Sequence, residues 1–345
     1  MIRADLSIVS DPPAALAAAV SAPVRRTARA GRAAPKAQEP LRIPPLPGWA
    51  RASGKGEGNA HFAAGAALAL LDAHLRQDPP AAGALRQRLA LASAAASGKL
   101  LRLNADVGAL RDLRFAVAAE PLPAAKLLQL WRELASRPPS LDARRLAVAT
   151  GLLDLSGVNA DALAESLSER SRAGDPLTAA AHVAAALYAA LPDAPAAPAE
   201  ILGHWAFDMS LALRLRWPRP LPLLSTAILE PKLRASGGGR LKPDASGWPS
   251  AAAGAIALAA ASALDQAADL ARRADTLLAV APKLRAKPAQ KIVDLLLAEE
   301  CVAPAEAARH APMTDRAARR LFDRLVGLGA ARELSGRPAF RVYGL

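Results

Sequence analysis

Thr314-Asp315-Arg316-Ala317-Ala318-Arg319-Arg320-Leu321-Phe322-Asp323-Arg324-Leu325-Val326-Gly327-Leu328-Gly329 sorts apolar from cationic residues at helical spacing. Thr314 has the side chain of a helix N-cap, and Asp315 stands at the positive end of the helix dipole. Ala318, Leu321, Leu325 and Leu328 recur every three or four residues, which puts them on one face with Phe322 beside them. Arg316, Arg319, Arg320, Asp323 and Arg324 fall on the other side. Gly329 supplies the stop. Such a helix needs a core to lie on, and the composition makes that core helical as well. Hydrophobic residues are 52% of the 345, much of it Ala, and aromatic residues are only 3%. Ala is the best helix former, and the β-branched and aromatic residues that favour strands are scarce. Small Ala side chains bury little area each, so stability must come from many close helix contacts anchored by Leu.

The flanks of this stretch add a pattern. Pro288 opens a helix through Ile292, Leu295 and Leu296 that points toward Cys301, Pro304 opens a short one over Ala305–His310, and Pro312 forces a turn. After Gly329, Ala331–Leu334 and Phe340–Tyr343 can pair around a turn at Gly336. Phe340 and Val342 then share one face, and Arg341 and Tyr343 the other. The order helix, helix, helix, hairpin over Lys283–Leu345 resembles the winged helix-turn-helix superfamily. The resemblance implies a major-groove helix from Thr314 to Leu328, with Arg316, Arg319, Arg320 and Arg324 reaching phosphates and guanine edges. It places Arg337 at the tip of a wing. Modules of this shape also serve protein contacts and dimerisation, which stands as the alternative.

Charge supports a polyanion partner. The formal net charge is +13, and it sits at the ends. Residues 1–58 hold nine Lys/Arg against four Asp/Glu, and residues 279–345 hold twelve against seven, so the middle is nearly balanced. Basic surface attracts phosphate backbones without reading sequence. Cys301 is the one cysteine, which excludes an intrachain disulfide and Cys-rich zinc sites and fits a reducing cytoplasm. Ala251–Leu264, the most apolar run, falls short of the roughly 20 residues of a spanning helix. It reads as a core helix, and no membrane partner is expected.

Prolines divide the rest. Residues 1–47 read as a disordered, basic, Pro/Ala-rich arm, residues 48–281 as an all-helical domain, and residues 282–345 as the C-terminal module. Trp49 is expected to mark where the chain docks on the body. A helix capped by Asn59 and ending at Leu75 would place Phe62, Ala66, Leu70 and Ala73 on one face. A long stripe follows from Leu85 to Leu103, then a helix holding Leu127, Leu130, Trp131 and Leu134. Further helices end near Leu155, start at Asn159 or Asp161, run from Asp175-Pro176 to Leu191, and span Glu200–Arg216. Trp217-Pro218-Arg219-Pro220-Leu221-Pro222 must be extended, because prolines at alternate positions forbid helix. Ser250–Val280 closes the body, burying Ile256, Ala260, Leu264, Ala267 and Leu277 and pairing Asp269 with Arg272 and Arg273.

Catalytic signatures do not appear. The sequence has no HExxH, GxSxG, Walker or dinucleotide fingerprint, and Ser53–Gly58 lacks phosphate-loop spacing. His204 and Asp208 lie one turn apart, but two ligands do not make a metal site. Trp205, Phe207, Met209 and Trp217 fit helical packing. No cofactor and no metal is expected. Trp217–Leu224, Leu277–Lys287, Arg319–Phe322 and Arg332–Pro338, taken in order, resemble an uncharacterised, mostly proteobacterial family catalogued as a domain of unknown function. The likeness runs from about Pro44 to Leu345 and implies no activity, ligand or catalytic residue.

The sequence therefore predicts a mainly α protein: a multi-helix, bundle-like body with a small C-terminal winged helix-turn-helix. The function expected is that of a cytoplasmic DNA-binding protein, a transcriptional regulator, contacting DNA through Thr314, Arg316, Arg319, Arg320, Arg324 and Arg337. The body would serve oligomerisation (a homodimer), a partner or a ligand. Two rivals are a helical scaffold whose C-terminal module makes protein contacts only, and an enzyme with an unrecognised pocket in the body around His204 and Asp208.

Overall fold

The computed structural model describes residues 44–51, 57–116, 121–172, 174–235, 237–284, 288–336 and 340–345. All of them belong to one unit, Pro40–Leu345. The arm expected over residues 1–47 lies almost wholly outside the described residues. In chain order the helices are α1 (Glu57–Leu75), α2 (Ala82–Leu100), α3 (Val107–Phe115), α4 (Pro123–Ser136), α5 (Ala143–Leu152), α6 (Ala160–Arg170) and α7 (Pro176–Ala189). They continue as α8 (Ala196–Leu215), the single turn α9 (Leu224–Ala227), α10 (Trp248–Val280), α11 (Ala289–Ala298), α12 (Pro304–His310) and α13 (Asp315–Gly327). A two-strand antiparallel hairpin, β1 (Arg332–Glu333) and β2 (Tyr343–Gly344), pairs Arg332 with Gly344 and Glu333 with Tyr343. The fold is mainly α, with thirteen helices and 67% helix among the described residues, a C-terminal two-strand hairpin, and no clear winged helix-turn-helix.

Local chemistry sets the helix starts. Asn159 accepts from the Ala162 amide, Asp175 from Leu177 and Thr178 with Pro176 at the first helical position, and Thr314 from Ala317. Asp106 caps α3 and Asp142 caps α5 in the same way. The helix α3 was not expected: the stripe read as continuous to Leu103 stops with α2 at Leu100, and a new helix begins after Asp106.

Two hydrophobic clusters meet on α2, where thirteen of nineteen residues are buried, most of them Ala, Ser, Gly or Leu. Leu85 and Leu89 join one cluster with α1, α10 and the C-terminal helices, while Leu91 and Ala94 join the other with α3–α8. The first cluster holds Leu264 and Leu277 together with Ile292, Phe322 and Leu345, so residues on both sides of position 282 share it. Three of the polar side chains of α2 find partners across its packing surfaces. Ser93 Oγ donates to Pro222 O, Trp131 Nε1 donates to Ser97 Oγ, and Gln87 Nε2 donates to Ser136 Oγ. The segment from Trp217 to Pro222 is free of helix, as its prolines require; Pro218 and Arg219 are exposed, and the buried remainder is bonded at its end to Ser93 of α2 and, through Leu223, to Asp208 of α8. The helix α10 with its last turn spans 36 residues and holds an 18-residue window of mean hydropathy 1.3, long and apolar enough to cross a membrane, yet 67% of that window is buried inside the fold.

Several expected faces are corrected. In α1 the buried stripe is Ala63, Ala67 and Leu71, not the one containing Phe62, which is 57% exposed. Ala-rich helices carry little contrast between faces, so the aromatic ring was a poor guide to phase. Trp49 is also exposed and rests on Phe62 at 6.1 Å, while Leu46 and Ala50 do the docking. The helix α11 ends at Ala298, short of Cys301. Leu328, placed in the core by spacing, is exposed, because α13 ends at Gly327. Tyr343 and Arg341 both reach Asp323, as a shared face requires, but the Tyr343 ring is buried and stacks on Phe322 at 4.5 Å.

A close helix-to-helix backbone approach is at Gly83, where an added Cβ would lie 2.7 Å from Ala298 Cα and 2.8 Å from its carbonyl oxygen. Backbone cannot yield as a side chain can. Gly83→Ala is expected to destabilise the protein by about 2 kcal/mol, the scale of core overpacking, read as a lower urea midpoint at unchanged m-value.

Candidate nucleic-acid interface

The helix α13 divides cleanly. Ala318, Phe322 and Leu325 are buried, and Arg316, Arg319, Arg320 and Arg324 are exposed. At 100° per residue these four side chains fall within an arc of roughly 140°. Thr314, also exposed, caps the helix start beside them. Arg319 pairs with Asp315 at 2.7 Å, and Arg324 donates to Lys283 O. Arg316 and Arg320 make no hydrogen bond or ion pair among the described residues. Asp323 sits inside the same arc, 3.7 Å from Arg341 and 3.4 Å from the Tyr343 hydroxyl, and so dilutes its charge. Arg337, expected at the hairpin tip, lies outside the described residues. The hairpin approaches its turn through Gly336, whose φ of +62° suits glycine.

Behind this face the C-terminal elements are held to the body. Val302 and Tyr343 exchange both backbone hydrogen bonds, 2.7 and 2.9 Å, which ties the hairpin to the segment between α11 and α12. Arg111 bonds Glu300, Arg114 meets Glu299 and Glu306 and donates to Cys301 O, and Arg132 bonds Glu299. Arg88 and Arg332 both donate to Leu345 O. Burial, with Glu300 beside it, pushes the Cys301 thiol up to about 12, so it is not a reactive thiolate. None of these arginines was singled out from sequence, because their partners lie up to 257 residues away along the chain. A cleft of about 390 Å³ borders this seam, lined by Arg114, Gln129, Arg132, Ser136 and Arg137 over Leu113 and Leu128.

The other residues weighed for chemistry are structural in their contacts. Glu200, His204 and Asp208 form one stripe of α8 and have at most 1% of their surface exposed. Asp208 accepts from the amides of Leu223 and Leu224 at 3.0 and 3.1 Å, which pins the end of the proline-rich segment to α8. Burial pushes its carboxyl well above the usual range, against those two bonds. Glu200 is held by Arg240 through both carboxylate oxygens. His204 shares a hydrogen bond with Ser225 Oγ through Nδ1 and stacks on Trp248 at 5.9 Å, while its Nε2 finds no hydrogen-bond partner. Among the described residues no group of three or more His, Cys, Asp or Glu is placed to hold a metal.

These features define a mainly α protein with a cationic helix face beside a small hairpin. Over residues 34–345 the chain matches the family model described as "Protein of unknown function (DUF1403)", and it belongs to that family. No curated protein matches it.

Burial, followed by the charge of Arg240, lowers the pKa of folded His204 from 6.5 to about 3. Above pH 6.5 the ring is neutral in both folded and unfolded chains. As pH falls toward 3 only the unfolded chain takes up the proton, and stability drops by about 1.4 kcal/mol per pH unit from this group. Urea midpoints measured from pH 7 to pH 5 should therefore fall more steeply for the wild type than for His204→Gln. Equal slopes would mean that the folded ring protonates.

Proposed function

We propose that this chain is a cytoplasmic DNA-binding protein that grips duplex DNA with α13, residues 282–345 working as a winged helix-turn-helix. The observation that carries the reading is the division of α13 itself. Four arginines stand exposed on one side, two of them without a partner among the described residues, and the opposite side is fixed in the core. A groove-inserted helix needs that arrangement: long cationic side chains forward and an apolar back that sets their height. Thr314 and the first amides of α13 suit a phosphate at the helix start. The order α11, α12, α13, hairpin, with Val302 bordering the hairpin, supports the same reading. The helical body serves as the oligomerisation, partner or ligand-sensing part.

Binding to a random-sequence duplex tests this. If four arginines neutralise four phosphates, the slope of log affinity against log salt is roughly −3 to −4. Arg316→Ala combined with Arg320→Ala should weaken binding and make the slope shallower by about 2. Absence of any duplex binding at about 50 mM salt, where such contacts are strong, rejects the proposal. It would favour a second reading, a helical scaffold whose C-terminal module meets another protein. Val326 and Leu328, 39% and 44% exposed at the end of α13, are the observation on its side.

A further inference from the structure

Arg86 is the least compensated charge in the described fold. It lies on α2 with 8% of its surface exposed, its Nε is buried without a partner, and it makes no ion pair or hydrogen bond among the described residues. Its surroundings contrast with those of Arg111, Arg114, Arg132 and Arg240, each of which ends on a glutamate. A guanidinium does not escape burial by losing its proton, so a charge held this deep calls for an anion.

A second guanidinium stands beside it. Ser93, seven residues further along α2 and on the same face, donates to Pro222 O. Seven helical residues rise about 10 Å, and the three extended residues from Pro222 back to Arg219 span about the same distance. Trp217, two residues before Arg219, donates its Nε1 to Asp72 near the end of α1, so the segment runs back from Ser93 toward the start of α2 and brings Arg219 near Arg86. Arg219 is exposed, flanked by Pro218 and Pro220, so its backbone is stiff and its side chain open to solvent. Burial first and the like charge of Arg219 second make Arg86 a weaker base than usual, with Asp78 opposing them from beyond ion-pair distance.

We propose that Arg86 and Arg219 form a binding site for a tetrahedral oxyanion, a phosphate or phosphate ester, at the junction of α2 and the proline-rich segment. One guanidinium approaches from the interior and the other from the surface. A tetrahedral anion can present separate oxygens to both, and each contact is a charge-assisted hydrogen bond. The site is independent of α13 and stands whichever partner α13 takes.

Calorimetric titration of the full chain with inorganic phosphate, at ionic strength held constant with chloride, is the test. Saturable binding is expected, and near a hundredfold excess over Kd the melting temperature should rise by roughly 3–4 °C. Arg219→Ala, a surface change, should weaken binding about tenfold. Arg86→Gln should abolish the phosphate response while leaving the melting temperature in phosphate-free buffer no lower than that of the wild type, because it removes an unpaired buried charge. A short duplex added to the same variants separates two sources of the anion. Loss of duplex affinity in Arg219→Ala assigns the site to a nucleic-acid backbone, and undiminished affinity assigns it to a free phosphate or ester. No phosphate binding above the ionic-strength control, or binding unchanged in Arg219→Ala, overturns the proposal.

Discussion

The close packing of α2 is the constraint on which the rest of the fold depends. Its Ala, Ser and Gly residues allow neighbouring backbones to come within contact distance, and Gly83 meets Ala298 with no room for a methyl group. Two hydrophobic clusters are therefore built on opposite sides of one helix. In a chain this rich in Ala, dispersion gathered over many short contacts replaces the large areas that aromatic residues would bury. The position of the C-terminal elements follows from the same helix, since Gly83 fixes α11 and Arg88 reaches Leu345 O. The cationic face of α13 is thereby carried by a rigid support.

Buried charge in this protein mostly fastens irregular backbone to helices. Asp208 holds the amides of Leu223 and Leu224, Glu200 holds Arg240 from the loop before α10, and Glu299, Glu300 and Glu306 receive three arginines from α3 and α4. A carboxylate that accepts several hydrogen bonds tolerates burial, and removing one partner leaves the other stranded. The polar stripe of α8 is explained by what it holds in place. That stripe looks like chemistry in the sequence and reads as carpentry in the fold.

Helices were legible where a cap and a proline coincided, as at Asp175-Pro176 and Thr314, because those signals act locally. The Trp217–Pro222 segment was legible for the same reason, since each proline fixes its own φ. The buried face of α1 was not. When nearly every residue is Ala, Leu or Gly, periodicity has no contrast, and which side is buried is decided by α10 rather than by α1. Of the site, the division of α13 could be read from spacing alone, whereas Leu328 could not, because its exposure depends on where the helix stops. The arginines that anchor the module, and the isolation of Arg86, are properties of pairs far apart in sequence and leave no local pattern.

The alternate prolines of the Trp217–Leu223 segment have one more consequence, which concerns the unfolded chain. Pro218, Pro220 and Pro222 bring no amide hydrogen, so burying this irregular stretch strands few donors, and Asp208 accepts from the two amides that follow. Each ring also narrows the conformations open to the chain before it folds, which reduces the entropy lost when the segment is fixed. The strut between α8 and α9 is thus stiff before it has anything to brace, and its ordering costs less than its length suggests.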